Sequence, residues 1–452
     1  MRRFTTLWVG YLVSVLGSSL TSLALGVWVF QRTGSATQYG LIIVMSFLPG
    51  ILATPVAGAL VDRWSRRGIL GVSNALSAVT IFALAALFLS GTLQPWHIFI
   101  VVGIQSLLRA LTAPTMNSIV ILLVPKEQVG RANGMVLLAQ ALGGTLGFAA
   151  GGVLLMGVGL GGVLLIDCAS FVVNMLAVLL VSIPHRRRSE GGSTGGDGLG
   201  AEIRQGWRYL SARRGLLALV VLYGTVGVAV APADVLITPV VLSYSSAEAL
   251  GVVLAAAGVG AVVGSLVLAA WGGPRRRIHA LAGLTLPIGG FMCLGVVRPS
   301  VVLIMIAAFG YSLFSTIVDG TARGILQVEV EPDLQGRVFA LFNMVANTVQ
   351  CVAFALAGPL ADQVFEPLLR DGGPLTGSVG TFFGVGPGRG TALLILFCGL
   401  AVIVTALVAY RQPDLRALPD RPTGGAKKAA AKDEPDPPAM ALARERADGE
   451  TS

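Results

Sequence analysis

Twelve apolar stretches, each near the length of helix that crosses a bilayer, dominate this sequence and leave few folds open to it. A hydrocarbon core of roughly 30 Å takes about 20 residues of helix. Stretches of that order run over 7–30, 40–61, 69–90, 96–124, 132–156, 160–183, 215–242, 247–271, 278–297, 300–327, 336–361 and 390–410. Lipid offers no partner to an open backbone N–H or C=O, so each stretch is predicted to be a helix. Charged residues make up only 12% of the chain, against about a quarter in soluble domains. A soluble enzyme, a nucleic-acid binder and a disordered scaffold are therefore excluded as readings of the whole chain, although the net charge is +9. Arg2 and Arg3 before the first stretch imitate a signal peptide, but 7–30 is too long for a signal's apolar region and is predicted to be a first membrane helix.

The basic residues fall on alternate turns. Arg2, Arg3, Arg63, Arg66, Arg67, Lys126, Arg131, the arginines of 184–214, Arg275, Arg276, Arg277 and Arg337 share one side. Arg32, Arg298, Arg370 and Arg389 lie on the other. The richer side is expected to be cytoplasmic, with both termini there and the chain multi-pass in the cell (plasma) membrane. Residues 184–214 divide the stretches six and six, giving 1–183 as an N-terminal bundle and 215–411 as a C-terminal one. Within the linker, Ile203, Trp207 and Leu210 share a helical face opposite arginines and predict a short helix lying on the inner leaflet. A plain solvated linker is the alternative. Residues 412–452, rich in Ala, Pro, Lys, Asp and Glu, read as a disordered cytoplasmic tail.

An internal repeat supports the division. Gly58 and Gly264, Gly130 and Gly336, and Gly152 and Gly358 all stand 206 residues apart, each pair at matching ends of matching stretches. Two six-helix bundles related by an axis along the membrane normal form a transporter architecture.

The second stretch closes on Gly58-Ala59-Leu60-Val61-Asp62-Arg63-Trp64-Ser65-Arg66-Arg67-Gly68. Asp62 can accept hydrogen bonds from a facing helix N-terminus or pair with an arginine. Arg63, Arg66 and Arg67 can pair across the seam between the halves, hold anionic lipid, or merely fix topology. Gly58, Leu60, Asp62, Arg63, Arg66 and Arg67 match the loop motif of the major facilitator superfamily, which residues 1–411 resemble. That resemblance implies that Asp62 and Arg63 stabilise the outward-open state through the start of the eleventh span, near Gly336 and Arg337, with Gly130 and Arg131 at the equivalent place in the first half. Leu268 and Ala269 stand where a second Asp-Arg pair would. Leu16–Leu25, Thr33–Ala36, Val124–Asn133 and Asp167–Phe171 resemble the enterobactin-exporter and macrolide-efflux branch, which implies proton-coupled export of bulky natural products.

Five ionisable residues fall inside stretches, where each is costly unless paired or facing water: Arg109, Asp167, Asp234, Asp319 and Arg323. Asp319 and Arg323 are four apart and can neutralise one another. Arg109 has no acid in its own stretch and must find an acid on another helix, a carbonyl or a substrate anion. Asp167 and Asp234 are the candidate proton carriers, and Asp167 has the alternative of capping or bracing the outer end of its helix. Gly143, Gly147, Gly151 and Gly152 make a smooth helix face. They also match the superfamily's antiporter motif, except that Phe148 stands at its proline. Pro49, Pro55, Pro114, Pro232 and Pro239 can kink their helices.

Cys168, Cys293, Cys351 and Cys398 sit far apart in apolar runs and read as buried hydrophobes. His97, His185 and His279 show no ligand spacing, so neither metal nor other cofactor is expected. The chain has no phosphate-binding G-x-x-x-x-G-K-[ST] loop, which removes an ATP-driven pump, and no enzyme constellation. The expectation is a monomeric secondary transporter acting on a small organic molecule, with protons and membrane lipid as partners: an exporter by antiport, with an uptake symporter or a lipid flippase as alternatives.

Overall fold

Helix starts follow from the polar residues that punctuate the apolar runs. The computed structural model describes residues 2–125, 128–181, 207–271, 277–330 and 332–412. Helix α1 (Arg2–Thr33) is followed by α2 (Ala36–Arg63), α3 (Arg66–Leu89) and α4 (Pro95–Leu123). Ser35 and Ser65 cap α2 and α3, accepting from the Gln38 and Gly68 amides at 3.3 and 3.1 Å. His97 closes a capping box on α4, its Nδ1 accepting from the Gln94 amide at 3.0 Å.

The next helical run consists of Val129–Leu142, a π-helical segment Gly143–Gly147, and Phe148–Leu180. Its apolar part, Gly134–Leu180, has 47 residues, about 70 Å of helix and more than twice a bilayer core. It breaks at Gly159, whose φ of 67° suits a residue without a Cβ. The piece before the break, 129–158, is α5, and the piece after it, 160–180, is α6. The second half comprises α7 (Arg214–Leu242), α8 (Ala247–Trp271), α9 (Arg277–Val296), α10 (Val301–Glu329), α11 (Pro332–Pro359) and α12 (Arg389–Arg411). A π-helical segment, Leu360–Phe365, prolongs α11. Among the described residues ten stretches are long and apolar enough to cross a membrane; splitting the longest at Gly159 and adding the shorter Leu281–Val296 brings the total to twelve.

Packing repeats with a shift of six helices. In the first half α1 packs on α5 and α6, α2 on α4, and α3 on α4 and α6. In the second, α7 packs on α11 and α12, α8 on α10, and α9 on α10 and α12. The two main contacts across the seam, α2 with α11 and α5 with α8, exchange under the same shift. The fold is thus two pseudo-symmetric six-helix bundles, all α. Large apolar side chains such as Val79, Phe82, Val302 and Val404 are exposed. That surface suits lipid and would be penalised in water.

The cross-seam contacts gather at one end, the end that carries the α1–α2 and α7–α8 turns. A Cβ on Gly358 would lie 2.5 Å from the Thr37 Cα, and one on Gly152 would lie 2.7 Å from the Ala247 carbonyl oxygen. Tyr39 Oη donates to Thr238 Oγ1 at 3.0 Å, and the Phe47 and Phe354 rings stand 5.8 Å apart. We call this the closed end.

Several expectations fall outside the described residues: 184–206 of the linker, 413–452 of the tail, and the side chains of Gly58, Asp62, Arg63, Gly130, Gly336 and Arg337. Residues 207–212 are helical, with Leu210 buried in the second-half core and Trp207 exposed. The cysteines are free thiols.

Candidate substrate cavities

Each half holds a cavity that runs from the middle of the bundle away from the closed end. The larger, in the first half, measures about 440 Å³. Ser14, Ser18, Thr21 and Ser22 share one face of α1 and line it. Opposite stand Asn74 and Ser77 of α3, Gln105 and Arg109 of α4, and Asp167 and Asn174 of α6. Asn174 Nδ2 donates to Asn74 Oδ1 at 2.9 Å, and Ser77 Oγ donates to Gln105 Oε1 at 2.8 Å. Asp167 is 1% exposed, and Ser170 Oγ donates to its Oδ1 at 3.2 Å. A Cβ on Gly17 would come within 2.7 Å of that oxygen, so α1 lies directly on the carboxylate. Asp167 is thus buried between α6 and the middle of α1.

Arg109 shares this cavity with Asp167 but is not in ion-pair contact with it. Arg109 lines the cavity, and among the described residues its guanidinium makes no hydrogen bond or ion pair.

The second-half cavity measures about 260 Å³ and holds Asp234, Asp319 and Arg323. Asp234 Oδ1 accepts the Tyr311 hydroxyl at 2.8 Å. Asp319 accepts the Tyr223 hydroxyl at 2.5 Å and Arg323 Nε at 3.0 Å, and Arg323 Nη1 donates to Asn343 Oδ1 at 3.3 Å. Both ionic side chains stay substantially open, 46% for Arg323 and 40% for Asp319, so the cavity is wet. A smaller, mainly apolar pocket of about 140 Å³ shares Asp234 and Tyr311 with it.

Three of the four glycines on α5 serve α1: Gly143 faces Val15, Gly147 faces Ser19 and Gly151 faces Leu23, while Gly152 meets α8 across the seam. Where the motif has a proline, α5 has a π-helical segment ending one residue before Phe148. π segments are frequent at functional sites.

Arg67 bonds within its own half. Its Nη2 donates to the Leu179 carbonyl at 2.5 Å, so it caps the end of α6 within its own half and does not reach across the seam. A helix C-terminus offers unpaired carbonyls to any nearby cation. Arg131 is exposed, and Arg66 Nε is enclosed with no partner among the described residues.

Sequence reasoning missed Asp362. Carried by the π-helical segment after α11, its Oδ2 accepts Ser35 Oγ at 2.7 Å, the Thr37 amide at 2.8 Å and Thr37 Oγ1 at 2.7 Å. Its Oδ1 accepts the Ala36 amide at 3.0 Å. One carboxylate thus caps the N-terminus of α2 from the other half of the molecule. Glu366 caps α12 similarly, accepting from the Gly388 and Thr391 amides at 2.6 and 3.0 Å. Arg389 is buried, donating to the Val297 carbonyl at 3.1 Å and to that of Phe383.

Two interlocked sets of six membrane helices, touching at one end around paired polar cavities, make up a small-molecule membrane transporter, not an enzyme. The chain belongs to the Major Facilitator Superfamily, whose sequence profile matches residues 7–354. It is 24% identical to macrolide efflux protein A of Streptococcus pyogenes over 80% of this chain and 90% of that protein. It is 25% identical to the multidrug efflux pump Tap of Mycobacterium tuberculosis over 92% and 96%. A bacterial homologue of the human lysosomal transporter Spinster, in its inward-facing unoccupied form, superposes with a TM-score of 0.68 at 16% identity, covering 93% of this chain and 98% of that one. The nucleoside transporter NupG superposes with a TM-score of 0.67 at 14% identity, covering 91% and 100%.

Proposed function

We propose that the protein is a proton-coupled exporter that moves a bulky amphipathic organic compound out of the cell by alternating access. The observation that carries this reading is the closed end: two halves in contact there, with a cavity in each half running the other way. The placement of basic residues supports a cytoplasmic side for the open end, both termini and the linker. On that orientation this is the state that loads from inside. Relatives named for macrolide and multidrug efflux support the outward direction.

Each ionisable group then has a role. Asp362 holds the external side shut while the cavities face inward. Asp62, on the far end of α2, takes over by capping α11 when the internal side closes. Among the described residues Asp234 has one phenolic donor and no cation partner, which supports it as the proton carrier; Asp319 is already neutralised by Arg323. Asp167 braces α1. The transporter works as a monomer in the plasma membrane with no cofactor, on the proton gradient alone.

The test is expression in a bacterial host stripped of its own efflux pumps. Resistance to a macrolide or an amphipathic dye is expected to rise, and an uncoupler to abolish the gain. Resistance that persists without a proton gradient overturns the coupling; accumulation in place of loss makes the protein an uptake symporter.

A further inference from the structure

The first-half cavity has nearly all of its strong polar chemistry spent inside the protein. Asn74 and Asn174 hold each other, Gln105 is held by Ser77 and Thr80, Gln140 donates to Tyr11, and Asp167 is buried under Ser170 and Gly17. Arg109 is the exception. Its guanidinium stands in the cavity, mid-helix, with none of its N–H donors used among the described residues. Arginine does not shed its proton in a protein, so this is a fixed positive charge. A guanidinium at membrane depth is costly unless something neutralises it. Asp167 does not do so by contact: it is 1% exposed and beyond ion-pair reach, so it acts on Arg109 only through space and leaves the guanidinium's N–H donors unused. The second-half cavity differs, since its one arginine is already engaged by Asp319 and Asn343.

We infer that the first-half cavity is a subsite for an acidic oxygen group of the substrate, a carboxylate, sulfonate, phosphate or phenolate, seated on the Arg109 guanidinium. The planar fork matches two oxygens of such a group. Ile42, Phe148 and Phe171 line the same cavity and receive the apolar body of the molecule. A volume of about 440 Å³ suits a drug-sized compound. The assignment rests on the transport reading only in taking this cavity as the substrate's. It adds the substrate class: an amphipathic organic acid, or a zwitterion whose acidic end enters the first half.

A matched pair of fluorescent dyes tests it on the purified full-length protein in lipid nanodiscs. Anilinonaphthalene sulfonate carries the anion, and N-phenylnaphthylamine is the same aromatic frame without it. Arg109→Gln is expected to weaken saturable binding of the sulfonate by about tenfold or more and to leave the neutral dye within about twofold, with Arg109→Lys in between. Equal loss of both dyes, or no loss of the sulfonate, overturns the subsite. The wild-type protein gives a second reading that needs no variant: naphthoate should displace the sulfonate dye, and its methyl ester at the same concentration should not. Displacement by both alike also overturns it. Binding needs no gradient. Selective binding without uncoupler-sensitive efflux therefore fails the exporter reading alone, and efflux without selectivity fails the subsite alone.

Discussion

Replacing Asp362 by Asn tests the gate most directly, because its contacts with α2 exist only while the closed end is closed. The carboxylate accepts from two backbone amides and two hydroxyls. Asparagine keeps one acceptor oxygen and puts an NH2 group against the other donors. The Ser35 and Thr37 hydroxyls can turn and accept from it, but one backbone N–H cannot reverse. Losing a hydrogen bond to a charged acceptor costs about 1.5–3 kcal/mol, and losing the charge at a helix N-terminus costs about 0.3–1 kcal/mol more. Asp362 is half-buried and water competes, so the low end applies, about 2 kcal/mol. That is about a 30-fold shift of the equilibrium away from the closed end. Spin labels on Arg32→Cys and Asp371→Cys, with the four native cysteines replaced, report the gap across the external side by pulsed dipolar spectroscopy. A longer-distance population is expected to grow in Asp362→Asn. An unchanged distance distribution refutes the latch.

Gly152→Val puts a side chain within 2.7 Å of the Ala247 carbonyl oxygen and should wedge the same end apart without touching Asp362; identical distances to wild type would mean that α5 and α8 are not a gate contact. Gly17→Ala brings a methyl within 2.5 Å of Ser170 Oγ and 2.7 Å of Asp167 Oδ1, an overpacking worth about 1–3 kcal/mol, so the melting temperature should fall by several degrees; an unshifted melt contradicts the close packing of α1 on α6. Asp234→Asn keeps an acceptor for Tyr311 and removes the exchangeable proton. Equilibrium substrate binding should survive while gradient-driven transport is lost, and uphill transport by this variant rules Asp234 out as the carrier. A double-mutant cycle on Asp319 and Arg323 should return a coupling of only about 0.3–0.5 kcal/mol, because the pair is open to water; several times that value would mean a dry cavity.

The twelve spans were legible because a bilayer imposes one length and one secondary structure on every crossing. Even the division of the 129–180 run could be read, since glycines cluster where α5 gives way to α6. Asp362 was not legible. The apolar run stops at 361, and the acid just beyond looks like the first loop residue. Only the π-helical continuation, which no local residue pattern encodes, keeps it on the helix and turns it toward Ser35. The Arg67 contact was not legible for a related reason: its partner is a backbone carbonyl 112 positions away, and carbonyls carry no residue identity to read. Tyr223 and Tyr311 were passed over because a tyrosine in an apolar run reads as packing until a carboxylate is found opposite its hydroxyl.

The geometry of α2 and α11 ties these gates to each other. Thr37 meets Gly358 and Phe47 meets Phe354, so the helices run antiparallel across the seam. An antiparallel pair places the start of each helix beside the end of the other. At the closed end, the acid after α11 caps the start of α2. On the reading proposed above, Asp62 at the finish of α2 caps the start of α11 when the opposite side closes. On that reading, bringing one pair of ends together parts the other, so the two caps exclude one another. A transporter that cycles needs its two states within a few kcal/mol, or the minor one is too rare to carry flux. On the proposed reading, two carboxylate caps of the same chemistry, one at each end, would offset each other and leave substrate and proton to decide the balance.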